Sequence, residues 1–567
     1  MQNKLLSAFL FILLSLYSNS VKAQAEKQSD FSEIMKQELD RSIQSFSKDF
    51  EYPVYFLQYS VVEANQYSLG ATNGGFEAPQ KYTRRYLDVD LRVGNMELDN
   101  THEIRGGAWF DNSYPRRVIP FALELKTNAI RAALWKETEY QYQKARERYV
   151  KVLSNSQVKV EQEDLSHDFS PIEPQKFTES QSLTLVDTVY WQGIIKEVSN
   201  YLSNYSFVLQ SGVRLNINDG TKWIINTEGT RIKHCNRNIS FSMSVSGIAA
   251  DGMDLSRSEN YTCTMLDHLP DHSKIMADAA RIVEELKALR DAPIVQPYIG
   301  PAILFNRASG VFFHEIFGHR IEGHRQKSEE EGQTFTKKLN EQILPDFINI
   351  YDDPTLQNFR GDDLTGYYKF DDEGVPSQRV TVVENGILRG FLTSRSPIKN
   401  FPFSNGHGRR DFGHHIVCRQ GALIIQSNKS VTFEHLRQLL IEECLKQNKP
   451  YGLLFKDIGG GMTSTQRSEY QAFKVFPLLV YRIYPDGRPD EVVRGVDIVG
   501  TPLACFKKII TTANDDEVFN GICGAESGGV PVSAISPSIL VSEIEVEKQA
   551  KRQDKPPLLP KPEFNNE

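Results

Sequence analysis

Apolar positions define the first elements. Between residues 24 and 50, Phe31, Ile34, Met35, Leu39, Ile43 and Phe46 recur mostly at spacings of three and four, which puts them on one face of a helix. Period-two alternation then predicts strands over 54–62 and 86–93, the second with Leu87, Val89 and Leu91 set against Asp88, Asp90 and Arg92. Residues 121–155 read as a long helix whose ladder of Lys, Glu and Arg is a solvated face. A polar, Pro-containing connection covers 164–177, and a helix covers 183–203. From Tyr205 to Tyr261 the texture is one of short strands, at 206–209, 214–217, 222–226, 232–234 and 239–245. Turn signals at Asn218-Asp219-Gly220 and Glu228-Gly229 separate some of them. A helix over 273–289 carries Ile275, Ala279, Ile282, Val283, Leu286 and Leu289 on one side and ends at Asp291-Ala292-Pro293.

A domain boundary is expected there. Beyond it, residues 302–305 read as a strand, and Ser309 as the N-cap of a helix that carries His314. Residues 379–384 and 387–393 flank Asn385-Gly386 and predict a hairpin. One helix, over 432–448, interrupts further strands at 452–456, 471–484, 491–498 and 538–545. The fold class predicted is α+β. An N-terminal mixed α/β domain (24–292) contains the long charged helix, and a mainly antiparallel β domain (293–547) carries a metal-binding helix. The charged, Pro-rich tail over 548–567 reads as disordered. There is no internal repeat.

Length and charge narrow the function. A chain of 567 residues has room for two or three domains with real cores. Its net charge of −8, without a long basic block, argues against nucleic acid as a partner. At the N-terminus, Lys4 precedes a nearly unbroken apolar run over 5–17, and Val21-Lys22-Ala23 supplies small or modest residues behind it. This is the pattern of a secretory signal peptide over residues 1–23, cut after Ala23. The run is shorter than the about 20 residues a membrane helix needs. The expected location is therefore periplasmic or secreted, with no membrane span after cleavage. Six cysteines in so long a chain are not a disulfide scaffold. Cys235 and Cys263 are the pair to test for a single bridge, since export favours oxidation.

The chemistry-bearing segment is His314-Glu315-Ile316-Phe317-Gly318-His319. Two imidazoles suit a metal such as zinc, and an adjacent Glu can act as general base. The spacing is unusual. Five residues of α-helix turn through roughly 500°, leaving the two rings about 140° apart. A π-bulge or a break at Gly318 is needed before they can share a metal. A merely packed pair of histidines is the competing reading. A third ligand is open at this point: His324, Glu322, and the cluster of His407, His414 and His415 are all candidates, with Glu322 better suited to orienting an imidazole.

Residues 308–324 resemble the signature of the TldD/PmbA family of metallopeptidases. Further similarity follows in family order: Asp371-Asp372-Glu373-Gly374-Val375-Pro376 with Glu384-Asn385-Gly386-Ile387-Leu388, then Asn405-Gly406-His407-Gly408-Arg409-Arg410, then Gly521-Ile522-Cys523-Gly524 with Val530-Pro531-Val532-Ser533. The resemblance spans about residues 295–545. It implies one Zn2+ per chain held by His314, His319 and Cys523, with Glu315 as the base that works on a metal-activated water. It implies a peptidase acting on unfolded or extended peptides, working as a homodimer or with a TldE/PmbA-like subunit that lacks the metal motif. The N-terminal half is less similar and longer, with the charged helix as a candidate insertion. The signal peptide also departs from the well-known cytoplasmic members.

Other functions use the same residues differently. An exported amidase or other hydrolase would act on a non-peptide bond. A binding or assembly protein would carry a closed, structural metal. The family's older label as a modulator of DNA gyrase conflicts with export and with negative charge. Gly459-Gly460-Gly461 would allow close backbone approach to an extended substrate, or form a flexible loop.

Overall fold

The computed structural model describes residues 31–47, 51–104, 116–157, 164–328, 331–467 and 472–550. The segment 1–23, expected to be a signal peptide, and the tail from 551 onward lie outside the described residues. No helix among the described residues is long and apolar enough to cross a membrane.

One large antiparallel sheet organises the N-terminal half. Its long strands are Val54–Thr72, Gln80–Val93, Gln210–Asn226, Arg231–Ile248 and Asp254–Cys263, with short additions at Gly75–Phe76, Ile119–Pro120 and Lys176–Thr178. Only Lys176–Thr178 pairs in parallel. Helices cover one face in two groups, and the strand Val54–Thr72 shows why. Its residues Leu57, Tyr59 and Val61 meet the helices Phe31–Phe46 and Thr127–Ser156 through Ile34, Met35, Leu39, Ile130 and Leu134. Further along the same face, Leu69 and Ala71 join the core of the helices Thr188–Ser203 and His272–Asp291. Odd-numbered positions supply both cores because strand side chains alternate faces.

Several predicted boundaries fall differently. The strands expected at 214–217 and 222–226 are one strand, Gln210–Asn226, and those at 232–234 and 239–245 are one strand, Arg231–Ile248. Asn218, Asp219 and Gly220 are not a turn. They pair across the ladder with Asn238, Arg237 and Asn236. Asp219 binds the Arg237 guanidinium at 2.6 Å, and a Cβ on Gly220 would lie 2.0 Å from Asn236 Oδ1. Residues 206–209 precede the strand as a turn rather than forming one.

The C-terminal half closes on itself. Tyr298–Leu304 pairs with both Gly452–Thr463 and Ile539–Lys548. Ile539–Lys548 pairs with Val496–Gly500, that strand with Phe473–Ile483, and Phe473–Ile483 returns to Gly452–Thr463. The result is a five-stranded ring. Beside it lies a six-stranded sheet in the order Ile387–Leu388, Val380–Glu384, Ile348–Asp352, Ala422–Ser427, Gly528–Ser536, Glu517–Ala525. Both are antiparallel apart from one parallel pair each. The Asn385-Gly386 hairpin forms, but its second arm ends at Leu388.

The helix Asn306–Ile316 packs between ring and sheet, against Gly452–Thr463 and Gly528–Ser536. Phe312, Phe313, Ile316 and Phe317 enter the main core. Ser309 is not its N-cap; Phe305 holds that position, and Ser309 is buried within the helix, 2.8 Å from Ser536 Oγ. The two halves are tied by buried charge. Arg395 donates to Ser170 O and pairs with Glu228, while Arg410 pairs with Asp88.

All six cysteines are free, so the candidate bridge between Cys235 and Cys263 is absent. Cys263 Sγ instead donates to Met265 O at 3.0 Å, and Cys235 lies 3.7 Å from Thr221 Oγ1. Thiol titration of the denatured chain without reductant is expected to count six thiols, and the melting temperature is expected not to respond to reductant. A count of four would contradict this.

Candidate metal centre

The helix bearing His314 ends at Ile316. Phe317 has φ −112° and ψ −52°, and the chain tightens into a 3-10 turn over Gly318–Ile321. The five-residue spacing is thus resolved by a break at Phe317 and Gly318 rather than by a bulge. The two imidazole centroids lie 5.2 Å apart, at 72° to each other.

Two contacts fix the break. Gly318 faces Gln420, and a Cβ there would lie 1.9 Å from Gln420 Oε1. Arg320 serves the carbonyls that the interrupted helix leaves without intrahelical partners. It donates to Glu315 O at 3.4 Å and Ile316 O at 3.3 Å, and reaches Thr463 Oγ1 at 2.6 Å and Ser464 O at 3.1 Å. Burial lowers the Arg320 pKa to about 10, aided by the neighbouring Arg325 charge.

Cys523 arrives from the outer strand Glu517–Ala525. His314, His319 and Cys523 are all buried and offer ligand atoms within 4.8 Å of one another. Cys523 Sγ lies 3.4 Å from His319 Nε2. Donors at tetrahedral zinc distances stand about 3.5 Å apart, so this separation fits a shared ion. His314 Nδ1 is buried and has no hydrogen-bond partner, as expected of a donor set arranged for something further. Two imidazoles and a thiol are a borderline-soft set suited to zinc.

Electrostatics make the cysteine a thiolate. Burial would raise its pKa, but His314 and His319 outweigh burial and bring it down to about 4. Burial disfavours the charged His319 ring, yet Glu322 and Cys523 push it up to about 10. His314 is raised too, its burial outweighed chiefly by Cys523. Glu322 accepts from His319 Nδ1 at 3.2 Å, which leaves Nε2 facing the cysteine.

Glu315 is half-buried and lines a cleft of ≈ 660 Å³ with His314, His319 and Cys523. Its side chain lies over Gly461, where a Cβ would come within 2.8 Å of Glu315 Cγ. The glycine run is therefore part of the strand Gly452–Thr463 and of the cleft wall.

The other candidate histidines stand outside this donor set. His324 pairs with Glu526 on the same cleft wall. His407 is fully buried against Asp352, 3.3 Å away, and His414 packs at Gly528. Sequence reasoning missed Arg320, Arg419, Gln420 and Glu526. No local signal marks them, because each acts across at least a hundred residues or through backbone atoms.

A buried two-histidine, one-cysteine set on a cleft wall, beside a carboxylate, is a donor set able to hold a metal ion. Residues 298–548 match the family described as PmbA/TldA metallopeptidase C-terminal domain. It is 29% identical over 263 residues to a metalloprotease of Archaeoglobus fulgidus, covering 46% of this chain and 56% of that protein. It is also 29% identical over 249 residues to a metalloprotease TldD homolog of Haemophilus influenzae, covering 43% and 48%. The chain thus spans about half the length of the curated relatives it matches. A Thermotoga maritima structure, described as a candidate modulator of a DNA gyrase, shares the fold with TM-score 0.61 and 19% identity, over 90% of this chain and 100% of that one. TldE from Thermococcus kodakarensis does so with TM-score 0.54 and 13% identity, over 90% and 100%.

Gly318→Ala must push Gln420 out of a filled site. Overpacking of this kind costs about 1–3 kcal/mol. Chemical denaturation of the metal-free protein is expected to show that loss; wild-type stability would contradict the packing described.

Proposed function

We propose that this chain is an exported zinc peptidase that hydrolyses unfolded or extended peptides. The observation that carries this reading is the convergence of His314, His319 and Cys523 on the wall of a cleft that Glu315 also lines. One zinc held by these three side chains would polarise a carbonyl and bring the pKa of a water toward neutrality. The Glu315 carboxylate takes the proton of the attacking water and delivers it to the departing amine. Glu322 keeps the His319 ring oriented, with Nδ1 occupied and Nε2 free to ligate.

The cleft runs between the end of Gly452–Thr463 and the outer strand Glu517–Ala525. An extended peptide lying along a strand edge binds through its backbone, which gives low sequence preference. Three donors beside an open cleft favour catalysis over a closed structural site, which takes four protein ligands. The peptidase reading is preferred to an amidase on the family match. Export to the periplasm or beyond rests on the N-terminal sequence pattern. A homodimer, or pairing with a motif-lacking subunit, is part of the proposal; the fold shared with TldE supports the second.

Chelation is expected to abolish cleavage of unfolded casein, and zinc to restore it. Glu315→Gln is expected to keep stoichiometric zinc while losing at least about 100-fold in rate, the scale of general acid–base catalysis. His314→Ala and His319→Ala are expected to lose the metal. Zinc retained in both, or hydrolysis retained in Glu315→Gln, would refute the assignment. Zinc binding should also tighten as pH rises from 6 to 8. In the metal-free site His319 holds its proton up to about 10, and that proton must leave before the ring can ligate. A flat profile in competition titrations would contradict this.

A further inference from the structure

We propose that Arg325 and Arg419, bracketing Glu322, are positioning residues that set the relation of His319 to Cys523 before any metal binds; the proposal rests on the ligand set proposed above. His319 and Cys523 are 204 residues apart in sequence, so something must hold their segments in register. Glu322 accepts from His319 Nδ1 and, on the same oxygen, from Arg325 Nε at 2.9 Å. Its other oxygen faces Arg419 Nε at 3.5 Å. Both arginines then cross to the cysteine segment. Arg419, fully buried, donates to Cys523 O at 2.7 Å, to Ser527 Oγ at 2.7 Å and to Gly528 O at 3.0 Å. Arg325 Nη2 binds Glu526 Oε2 at 2.9 Å, and His324 takes the other Glu526 oxygen.

A closed path therefore runs from His319 through Glu322 and Arg419 to the backbone of Cys523, with a second strap from Arg325 to Glu526. Guanidinium groups suit this work because their planar fork of donors fixes direction as well as distance. Glu322, His324 and Glu526 also lie close enough to hold a cation of their own. The two arginines argue otherwise, since they already occupy the carboxylates with positive charge. The group is a clamp for one metal centre, not a second centre.

The test is zinc affinity of the full chain, measured by competition with a chromophoric chelator, alongside metal stoichiometry and the melting temperature of the metal-free protein. Glu526→Gln cuts the outer strap at the cleft rim, and Arg419→Lys loosens the buried one. Arg325→Lys keeps the charge but loses the fork. Each variant is expected to bind one zinc with about 10–100-fold weaker affinity, the usual consequence of losing a partner that orients a metal ligand. Glu526→Gln is expected to melt, metal-free, with the wild type, which separates positioning from general stability. Affinity within about twofold of wild type in Glu526→Gln and Arg325→Lys would overturn the clamp while leaving the ligand set standing. Two zinc ions per wild-type chain would overturn it as well. A wild type that takes up no zinc would overturn the ligand set and the clamp together.

Discussion

The candidate centre depends on the helix that bears His314 stopping at Ile316. Had the helix continued, His314 and His319 would point about 140° apart and could not face a common ion. The stop is built from several sides. Gly318 leaves the space that Gln420 fills, and Arg320 takes the carbonyls of Glu315 and Ile316. Arg320 also reaches Thr463 and Ser464, so the end of the helix and the end of the glycine-bearing strand are held by one guanidinium. That strand carries Gly461, over which the Glu315 side chain lies. The candidate ligands His314 and His319 and the candidate base Glu315 are thus positioned by the same break.

Buried charge is the second theme. Arg395 and Arg419 are fully buried, as are Glu322 and Asp352. Taking a charge out of water costs several kcal/mol per ion unless pairing and hydrogen bonds offset it. Here the pairing is dense: Arg395 donates to Ser170 and pairs with Glu228 from the other half of the chain, and Arg419 pairs with Glu322 and donates to three groups around Cys523, although Arg395 Nη1 and Arg419 Nε make no hydrogen bond. Such ions add little net stability compared with apolar replacements. They do fix direction. In this protein they occur where direction matters, between the two halves and around the candidate ligands.

Much of this was legible in the sequence, and the failures share a cause. The helices Phe31–Phe46 and His272–Asp291 follow from apolar spacing alone, because each buries one face against one sheet. The spacing of His314 and His319 announced a break, because helical geometry forbids the alternative. What form the break took could not be read, since Gln420 lies 102 residues from Gly318 and reaches it only in the folded chain. The Asn218-Asp219-Gly220 turn failed for a similar reason. Local propensity favours a turn, but the facing residues Asn236, Arg237 and Asn238 are as polar, and the ladder continues through both. Cys523 was reached through family resemblance rather than from spacing. Glu322 could be assigned to an imidazole because it lies three residues past His319. Arg419 and Glu526 had no such neighbour.

The most direct measurement is zinc-edge X-ray absorption on the purified protein. The structure predicts a first shell of two nitrogens at about 2.0–2.1 Å, one sulfur at about 2.3 Å and one light atom from solvent. A shell without sulfur, or one with two or more sulfurs, would show that His314, His319 and Cys523 do not together hold the metal.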